Sequence, residues 1–234
     1  MNDTKATSYL IFDRISHSYD RINRLLSFGI DIYWRFKLLK YVPKKKTPLK
    51  LVDLATGTGD QLFSLLKYRK NIMHAIGLDL STNMLSVAKK KAKKRDLSHR
   101  TVFEDGDAQN IPLNPNCADL VTMSFGIRNV PDTVKCIQEM HRILETGGKS
   151  LILEFSLPTN KLIKSLYLFY LRKILPPIGN LLSKDSSAYT YLNQTIETFP
   201  YGEDFLELMR QAGFKKVEAK PLTFGIATLY IGEK

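Results

Sequence analysis

Acidic side chains that stand where predicted strands end are the residues best suited to chemistry in this sequence. Asp79 lies near the end of the apolar run "HAIGLDLS" (74–81), and Asp107 follows a third predicted strand, in "DGDAQNIPL" (105–113). A carboxylate at the first position can accept hydrogen bonds from both hydroxyls of a ribose. A carboxylate at the second position can accept one from an adenine amino group. Together they predict a site for an adenosine-containing cofactor.

A glycine loop, "VDLATGTGD" (52–60), stands about 20 residues before Asp79. Gly57 and Gly59 allow a tight turn and a close approach of backbone N–H groups to a ligand. The loop lacks the third glycine of G-x-G-x-x-G, and Asp60 would repel a pyrophosphate. S-adenosylmethionine carries no phosphate, and an acidic loop suits its cationic sulfonium and ammonium groups. The loop therefore favours this cofactor over a dinucleotide and predicts a methyltransferase.

Alternating strands and helices must position these side chains. Apolar runs at 49–55, 74–81, 118–125 and 149–155 are predicted strands, and helical patterns lie near 60–69, 82–95 and 132–144. This alternation predicts an α/β fold, with a Rossmann-like, mostly parallel central sheet and helices on both faces. After residue 200 a helix–strand pattern resumes, and "GIATLYIG" is a last strand. Ligands of open α/β sheets bind at the carboxyl ends of the strands, so we expect the acidic residues to share one edge.

Two segments interrupt the alternation. Residues 1–40 have an amphipathic helical pattern, and residues 156–200 are rich in Tyr, Leu and Pro. We expect both to form lids over the carboxyl edge of a single domain at 1–234. The stretch "KLIKSLYLFYLRKILPPIGNLL" (161–182) has the apolar bulk and flanking charges of an interfacial membrane helix, although a core helix also fits. Its charges exclude a spanning helix, which needs roughly 20 apolar residues in a row.

The charge balance leaves several partners open. The 35 Lys and Arg against 23 Asp and Glu give a formal net charge of +12, which suits nucleic acid, an anionic membrane or a solvated surface. The basic run "KKKAKKR" (89–95) continues a helical pattern and is predicted to be a solvated outer face. No apolar run follows a basic start, so no signal peptide is predicted. Cys117 and Cys136 lack metal-ligand spacing and are predicted to be reduced thiols of a cytoplasmic protein.

Longer motifs resemble one known family. "YDRINRLLSFGI", "DLVTMSFGIRNVPD", "GGKSLILEFSLP" and "FPYGEDFLELMRQAGF" occur in family order together with the glycine loop. From residue 9 to its end, the chain resembles the ubiquinone/menaquinone-biosynthesis C-methyltransferases. This resemblance implies a class I S-adenosylmethionine-dependent methyltransferase that converts demethylmenaquinol to menaquinol, with 2-methoxy-6-polyprenyl-1,4-benzoquinol as a second candidate acceptor. Asp31 and Gln194 depart from the histidine and glutamate usual in the family.

The resemblance also implies residues for the cofactor and a place in the cell. The predicted cofactor set is Asp53, Gly57, Thr58 and Gly59 in and before the loop, Asp79 on the ribose, Asp107 and Ala108 near adenine, and Ser124 at the end of the fourth strand. The partner is a prenylated quinol, so we expect peripheral association with the inner face of the bacterial membrane. Neither a metal nor nucleic acid is expected, and a homodimer stays open.

Arg128 and Asn129 follow the fourth predicted strand, in "MSFGIRNV" (123–130). Methylation of a ring carbon requires an electron-rich ring, and a quinol becomes a better nucleophile when a hydroxyl loses its proton. A guanidinium keeps its own proton, so Arg128 is predicted to stabilise the ring-oxygen anion and not to act as the base. Asn129 would add a hydrogen bond. A surface arginine, or one paired with Asp132, fits the same sequence.

The proton acceptor has several candidates. Histidine has an ordinary pKa of about 6.5, so His17 suits proton transfer at neutral pH. Asp20, Tyr189 and Tyr191 are comparable, and water near Arg128 would also suffice. A methyltransferase acting on RNA or another small molecule is the alternative that the charge favours, although "SFGIRN" replaces the D/N-P-P-Y/F-type motif of amino-nitrogen methylation. A non-enzymatic membrane-peripheral protein with a vestigial cofactor fold is the third hypothesis.

Overall fold

A seven-stranded sheet forms the centre of the protein. The computed structural model describes residues 8–16, 19–44, 48–183 and 186–234. The strands are β1 (Leu49–Leu54), β2 (Ile72–Asp79), β3 (Thr101–Asp105), β4 (Ala118–Ser124), β5 (Leu144–Phe155), β6 (Lys216–Leu222) and β7 (Ala227–Glu233). Their order is β3-β2-β1-β4-β5-β7-β6, with β7 antiparallel to both neighbours and the rest parallel. The predicted sheet is therefore confirmed, and it is mostly parallel.

Helices cover both faces of this sheet. In chain order they are α1 (Ser8–Ile15), α2 (Tyr19–Leu26), α3 (Ile30–Leu38), α4 (Asp60–Tyr68), α5 (Thr82–Lys94), α6 (Thr133–Ile143), α7 (Lys161–Phe169), α8 (Leu175–Ser183), α9 (Ser186–Thr198) and α10 (Glu203–Gln211). A π-helical turn at Tyr170–Ile174 joins α7 to α8. The two sides of the sheet bury separate apolar clusters. Strands β1 and β4 are almost wholly buried because helices pack on both of their faces.

Strand β5 begins earlier than the sequence pattern predicts. It starts at Leu144 and not at 149, because Ala118 pairs with Leu144 before the register shifts and resumes at Leu120 and Lys149. Gly147, with φ +76°, lies in this irregular stretch. Gly147 and Gly148 thus lie in an irregularity near the start of this strand.

The N-terminal and inserted helices share a core of their own. A buried apolar cluster joins Ile22 of α2 to residues of the inserted segment. Its other members are Leu157, Tyr167, Leu171, Leu175 and Ile196. Because this cluster joins residues far apart in sequence, the two irregular segments pack against each other. They do so beside the carboxyl ends of β4 and β5, next to the predicted site.

Candidate active site

A hydrogen bond connects the glycine loop to the end of β2. Gly57 has φ +55°, a conformation that costs other residues strain, and its N–H donates to Asp79 Oδ2 at 2.7 Å. The Ser81 N–H donates to the other oxygen of the same carboxylate at 2.9 Å. Burial raises the pKa of Asp79, although these two backbone donors oppose the shift. The loop and the predicted ribose ligand are therefore held as one rigid unit.

A cavity of about 280 Å³ lies along the carboxyl ends of the first four strands. It brings together six residues of the sequence prediction: Gly57, Asp79, Asp107, Ala108, Ser124 and Asn129. Asn129 was expected beside the acceptor, but it lines this cavity, and its buried Oδ1 has no hydrogen-bond partner among the described residues. We call this space the adenosine cavity, after the ligand that its predicted residues suit.

A smaller polar pocket of about 30 Å³ adjoins the glycine loop and is lined by Asp53, Thr58 and Asp60. Burial raises the pKa of Asp53 to about 6, against hydrogen bonds from the Thr122 and Thr56 hydroxyls at 2.5 and 2.6 Å. Because burial makes the Asp53 carboxylate costly to ionise, a neighbouring cation would favour its ionised form. The pocket therefore suits a positively charged ligand group.

Gln61 is a pocket residue that the sequence reasoning missed. It is 2% exposed, and its Oε1 accepts a hydrogen bond from Ser124 Oγ at 3.1 Å. Its buried Nε2 has no partner within the described residues, so an amide donor faces the polar pocket. The only signal in the sequence was its place directly after the loop, on the first turn of α4.

An ionic cluster connects α2 to the glycine loop. Lys91 Nζ lies 2.5 Å from Asp20 Oδ2 and 2.8 Å from both Asp60 Oδ1 and Thr58 Oγ1. Thr58 in turn donates to Asp20 at 2.6 Å. Burial would raise the pKa of Asp60, but Lys91 holds it below its ordinary value. The prediction of a wholly solvated basic face at 89–95 is wrong for Lys91, because it faces this acidic cluster.

Beside the polar pocket lies a larger, mostly apolar cavity of about 340 Å³, formed by α2, α3, the inserted helices and the ends of β4 and β5. Its inner wall is aromatic, with the rings of Phe125 and Phe155 4.6 Å apart and Trp34 within 6.0 Å of both. Phe125 has φ +60°, a strained conformation for a side-chain-bearing residue, and it lines both this cavity and the adenosine cavity. We call this space the acceptor cavity.

Arg128 lines the acceptor cavity as predicted, but its charge is paired. It is 4% exposed, and its Nη1 lies 2.8 Å from Oε1 of Glu154, whose side chain is completely buried. The same nitrogen donates to the Phe125 carbonyl at 2.5 Å. The alternative partner Asp132 instead caps α6 through the Lys135 N–H. Glu154 was not predicted as a partner, because it lies 26 residues away on β5.

A second arginine lies where the cavities meet. Arg35 of α3 lines both the acceptor cavity and the polar pocket. Its guanidinium carbon is 5.3 Å from the centre of the Phe125 ring. Tyr19 lines all three cavities, and burial raises the pKa of its phenol against the attraction of Arg128 and Arg35. The sequence analysis assigned no role to Arg35.

The candidate bases differ in where they lie relative to the acceptor cavity. His17 lies outside the described residues, as does the side chain of Tyr189 on α9. Tyr191 lines the acceptor cavity. Asp20 lines the polar pocket and is held by Lys91, so it does not face the acceptor cavity. The identity of the base stays a prediction.

Comparison with known proteins agrees with this geometry. The chain matches the ubiE/COQ5 methyltransferase family over residues 1–234. It is 40% identical to a demethylmenaquinone methyltransferase of Bacteroides fragilis, over 100% of this chain and 95% of the relative. It is 41% identical to the ubiquinone/menaquinone biosynthesis C-methyltransferase UbiE of Geotalea uraniireducens, over 96% of this chain and 94% of the relative.

A solved structure shares the fold. A Thermotoga maritima S-adenosylmethionine-dependent methyltransferase, described as a possible histamine N-methyltransferase, has a TM-score of 0.65 at 21% identity, covering 97% of this chain and 99% of its own. The predicted methyltransferase fold is confirmed. The chain belongs to the ubiE/COQ5 methyltransferase family.

Proposed function

We propose that this protein transfers a methyl group from S-adenosylmethionine to a ring carbon of a prenylated quinol. Demethylmenaquinol is the proposed acceptor, and 2-methoxy-6-polyprenyl-1,4-benzoquinol is the second. The observation that carries the proposal is the acceptor cavity, an aromatic-walled space that shares Tyr19 and Phe125 with the adenosine cavity. The names of the relatives in Bacteroides fragilis and Geotalea uraniireducens support the same acceptors.

The residues present suit the cofactor. Asp79 would hold the ribose hydroxyls, and Asp107 with Ala108 would lie near adenine. Asp53 and Gln61 would hold the charged amino-acid end, because one is a buried carboxylate and the other an unsatisfied amide donor. When bound, S-adenosylmethionine supplies an electrophilic methyl group.

The chain's own contribution is to orient the acceptor and exclude water. The Phe125 and Phe155 rings, whose planes are inclined by 35°, form an apolar wall against which an aromatic quinol ring can pack. Holding two reactants in near-attack geometry can supply roughly 7–11 kcal/mol of the barrier. Arg128 would donate a hydrogen bond to a ring oxygen, while Glu154 keeps its guanidinium in place. Asn129 would act from the cofactor side.

The N-terminal helices and the segment 156–200 are proposed to be lids. Ion pairs of Lys91 connect α2 to the glycine loop. Apolar packing of Ile22, Leu157 and Tyr167 connects the inserted helices to α2. These contacts close the acceptor cavity from the side. Opening of both segments would admit a substrate with a long apolar tail.

The mouth of the acceptor cavity supports peripheral membrane association. Phe28 and Leu166 line the cavity yet are 79% and 62% exposed. Leu162 and Phe169 share the outer face of α7 with Leu166, since positions four and three apart lie side by side on a helix. Exposed Lys161 and Lys173 flank this stretch in the sequence, whereas Arg172 is paired with Glu197. This is the composition of a helix that lies on an anionic membrane surface. None of the described helices is long and apolar enough to cross a membrane.

Transfer of a labelled methyl group tests the proposed function. Purified protein is incubated with S-adenosylmethionine and a demethylated prenylated quinol in detergent or lipid, under reducing conditions. We expect the label in the quinone fraction. Label in RNA, with none in a prenylated quinol of either ring type, would establish the alternative activity and refute the proposal.

Liposome sedimentation tests the membrane face. We expect the double variant L162S/F169S, which spares the cavity-lining Leu166, to lose binding to vesicles containing anionic lipid while it still methylates a short-tailed quinol in solution. Met73→Ser is the control, because Met73 is 43% exposed at the start of β2, at the opposite edge of the sheet. Equal vesicle binding by the double variant and the control would rule out this face.

A further inference from the structure

We infer that Arg35 is a catalytic residue, and that its guanidinium binds and stabilises the oxygen anion of the acceptor ring. This inference rests on the proposed function, because it assumes an acceptor with an ionisable ring hydroxyl. In the step proposed, the ring O–H bond breaks, the proton passes to water, and the resulting oxyanion pairs with Arg35. The electron-rich ring then lies on Phe125, against which Arg35 packs.

The charge of Arg128 has a closer partner than that of Arg35 has. Its partner Glu154 is fully buried and lies 2.8 Å away. Both oxygens of this carboxylate also accept from the backbone, at the N–H groups of Phe155 and Arg128. The Glu154 carboxylate is thus satisfied without any ligand, whereas the buried Nε of Arg128 has no hydrogen-bond partner among the described residues and can still orient a ring oxygen. A neutral pair can orient a ring, but it attracts an anion weakly.

Arg35 has no described ion pair as short as that of Arg128, although Asp53 and Asp60 line the polar pocket beside it. Its described ion-pair contact is with Asp31, at 3.8 Å from Nε to Oδ2. That carboxylate is held more closely by Arg24, at 3.0 Å, and by the Ser27 hydroxyl, at 2.8 Å. The buried Nε of Arg35 has no hydrogen-bond partner among the residues that the structure describes. An anion bound in the cavity would supply the missing partner.

Arg35 is also positioned to contact the acceptor. It lines the acceptor cavity and the polar pocket, so it lies between the expected acceptor and the charged end of the cofactor. Its side chain is 13% exposed, and a charge acts more strongly where water is excluded. Tyr19 lines the same two spaces as Arg35, and Asp53 lines the polar pocket with them. Burial raises the pKa of Tyr19, and the charges of Arg128 and Arg35 oppose that rise.

Kinetics of Arg35→Met and Arg35→Lys test the assignment. Methionine keeps apolar packing on Phe125 but removes the charge, whereas lysine keeps the charge. We expect R35M to lose about 10²- to 10³-fold in kcat, as expected for removal of one anion-stabilising donor, with R35K rescuing most of the rate. The alkaline rise of the pH–rate profile should move to higher pH in R35M alone. Cofactor affinity is measured at pH 8, above the pKa of about 6 of Asp53 in the wild type, so that a loss of cofactor binding is separated from a loss in kcat.

A chromophoric phenol provides a readout that does not depend on the natural acceptor. 4-Nitrophenol is titrated in the presence of excess protein, and its yellow anion is followed by absorbance. We expect the bound phenol to ionise at lower pH in the wild type than in R35M. The exposed Arg210, in surface ion pairs on α10, gives the control R210M, for which we expect wild-type behaviour.

The outcomes separate the two levels of the proposal. If R35M keeps kcat within threefold of the wild type, or if R35K loses as much as R35M, the role of Arg35 is refuted while the proposed function stands. If the wild-type protein methylates no quinol, the proposed function fails. The phenol titration then decides on its own whether Arg35 stabilises a bound anion.

Discussion

The buried pair of Arg128 and Glu154 makes a quantitative prediction about stability. At 2.8 Å, and with an effective dielectric constant of about 20, the two charges attract each other by about 6 kcal/mol. Desolvation offsets much of this attraction, so the pair as a whole contributes far less. Removing one partner, however, leaves the other charge buried and uncompensated. We therefore expect R128M and E154Q each to destabilise the fold by about 3–5 kcal/mol.

The double variant R128M/E154Q is the informative one. It buries no charge, and the glutamine can still accept from the Phe155 N–H that Glu154 now binds at 2.8 Å. We expect it to be less destabilised than the sum of the single variants by at least 2 kcal/mol. Urea denaturation followed by circular dichroism, without cofactor, measures all four proteins. The cycle reports the coupling directly.

The result that would refute this reasoning is additivity. If the double variant loses the sum of the two single losses, within about 0.5 kcal/mol, the two charges are not coupled. Arg128 would then be free to carry its charge into the acceptor cavity, as the sequence analysis first predicted. Activity of the folded single variants would have to be reinterpreted in that case.

Four further predictions concern the cofactor side. Burial raises the pKa of Asp53 from 3.8 to about 6 in the folded protein. Its ionised form therefore destabilises the fold above about pH 6, and this loss of stability is recovered as the pH falls. We expect D53N to stabilise the cofactor-free protein at pH 7 by up to about 3 kcal/mol in thermal or urea denaturation. The same shift predicts that wild-type affinity for S-adenosylmethionine, measured by calorimetry, falls about tenfold per pH unit below 6, and D53N should lack this dependence. A Cβ at Gly126 would lie 2.6 Å from the Ala55 Cβ, so G126A should cost about 1–3 kcal/mol and weaken cofactor binding; an unchanged melting temperature would contradict this. Lys91→Met removes the cation of the ionic cluster, and hydrogen exchange in α2 should speed up, whereas K90M, at the exposed neighbour, should leave it unchanged.

Local sequence signals were sufficient for the sheet and for most of the cofactor side. Apolar runs, the glycine loop and Asp79 report on their own neighbourhood, because the carboxyl ends of parallel strands always meet at one edge. That is why Gly57, Asp79, Asp107, Ala108 and Ser124 were found together and line one cavity. The early start of β5 was not predicted, because it depends on pairing with β4 and not on the local residue pattern.

Tertiary structure alone decided where the charges go. Glu154 is one more residue of an apolar strand in the sequence, and only the pairing of β5 beside β4 places it against Arg128. Lys91 cannot be told from its neighbours in a lysine run until α5 packs beside the glycine loop. Arg35 lies in an amphipathic helix that gives no hint of a cavity. The sequence by itself determined the family, the fold and the cofactor edge. The electrostatics of the acceptor cavity were decided by contacts between distant segments, because charge compensation depends on distance in space and not along the chain.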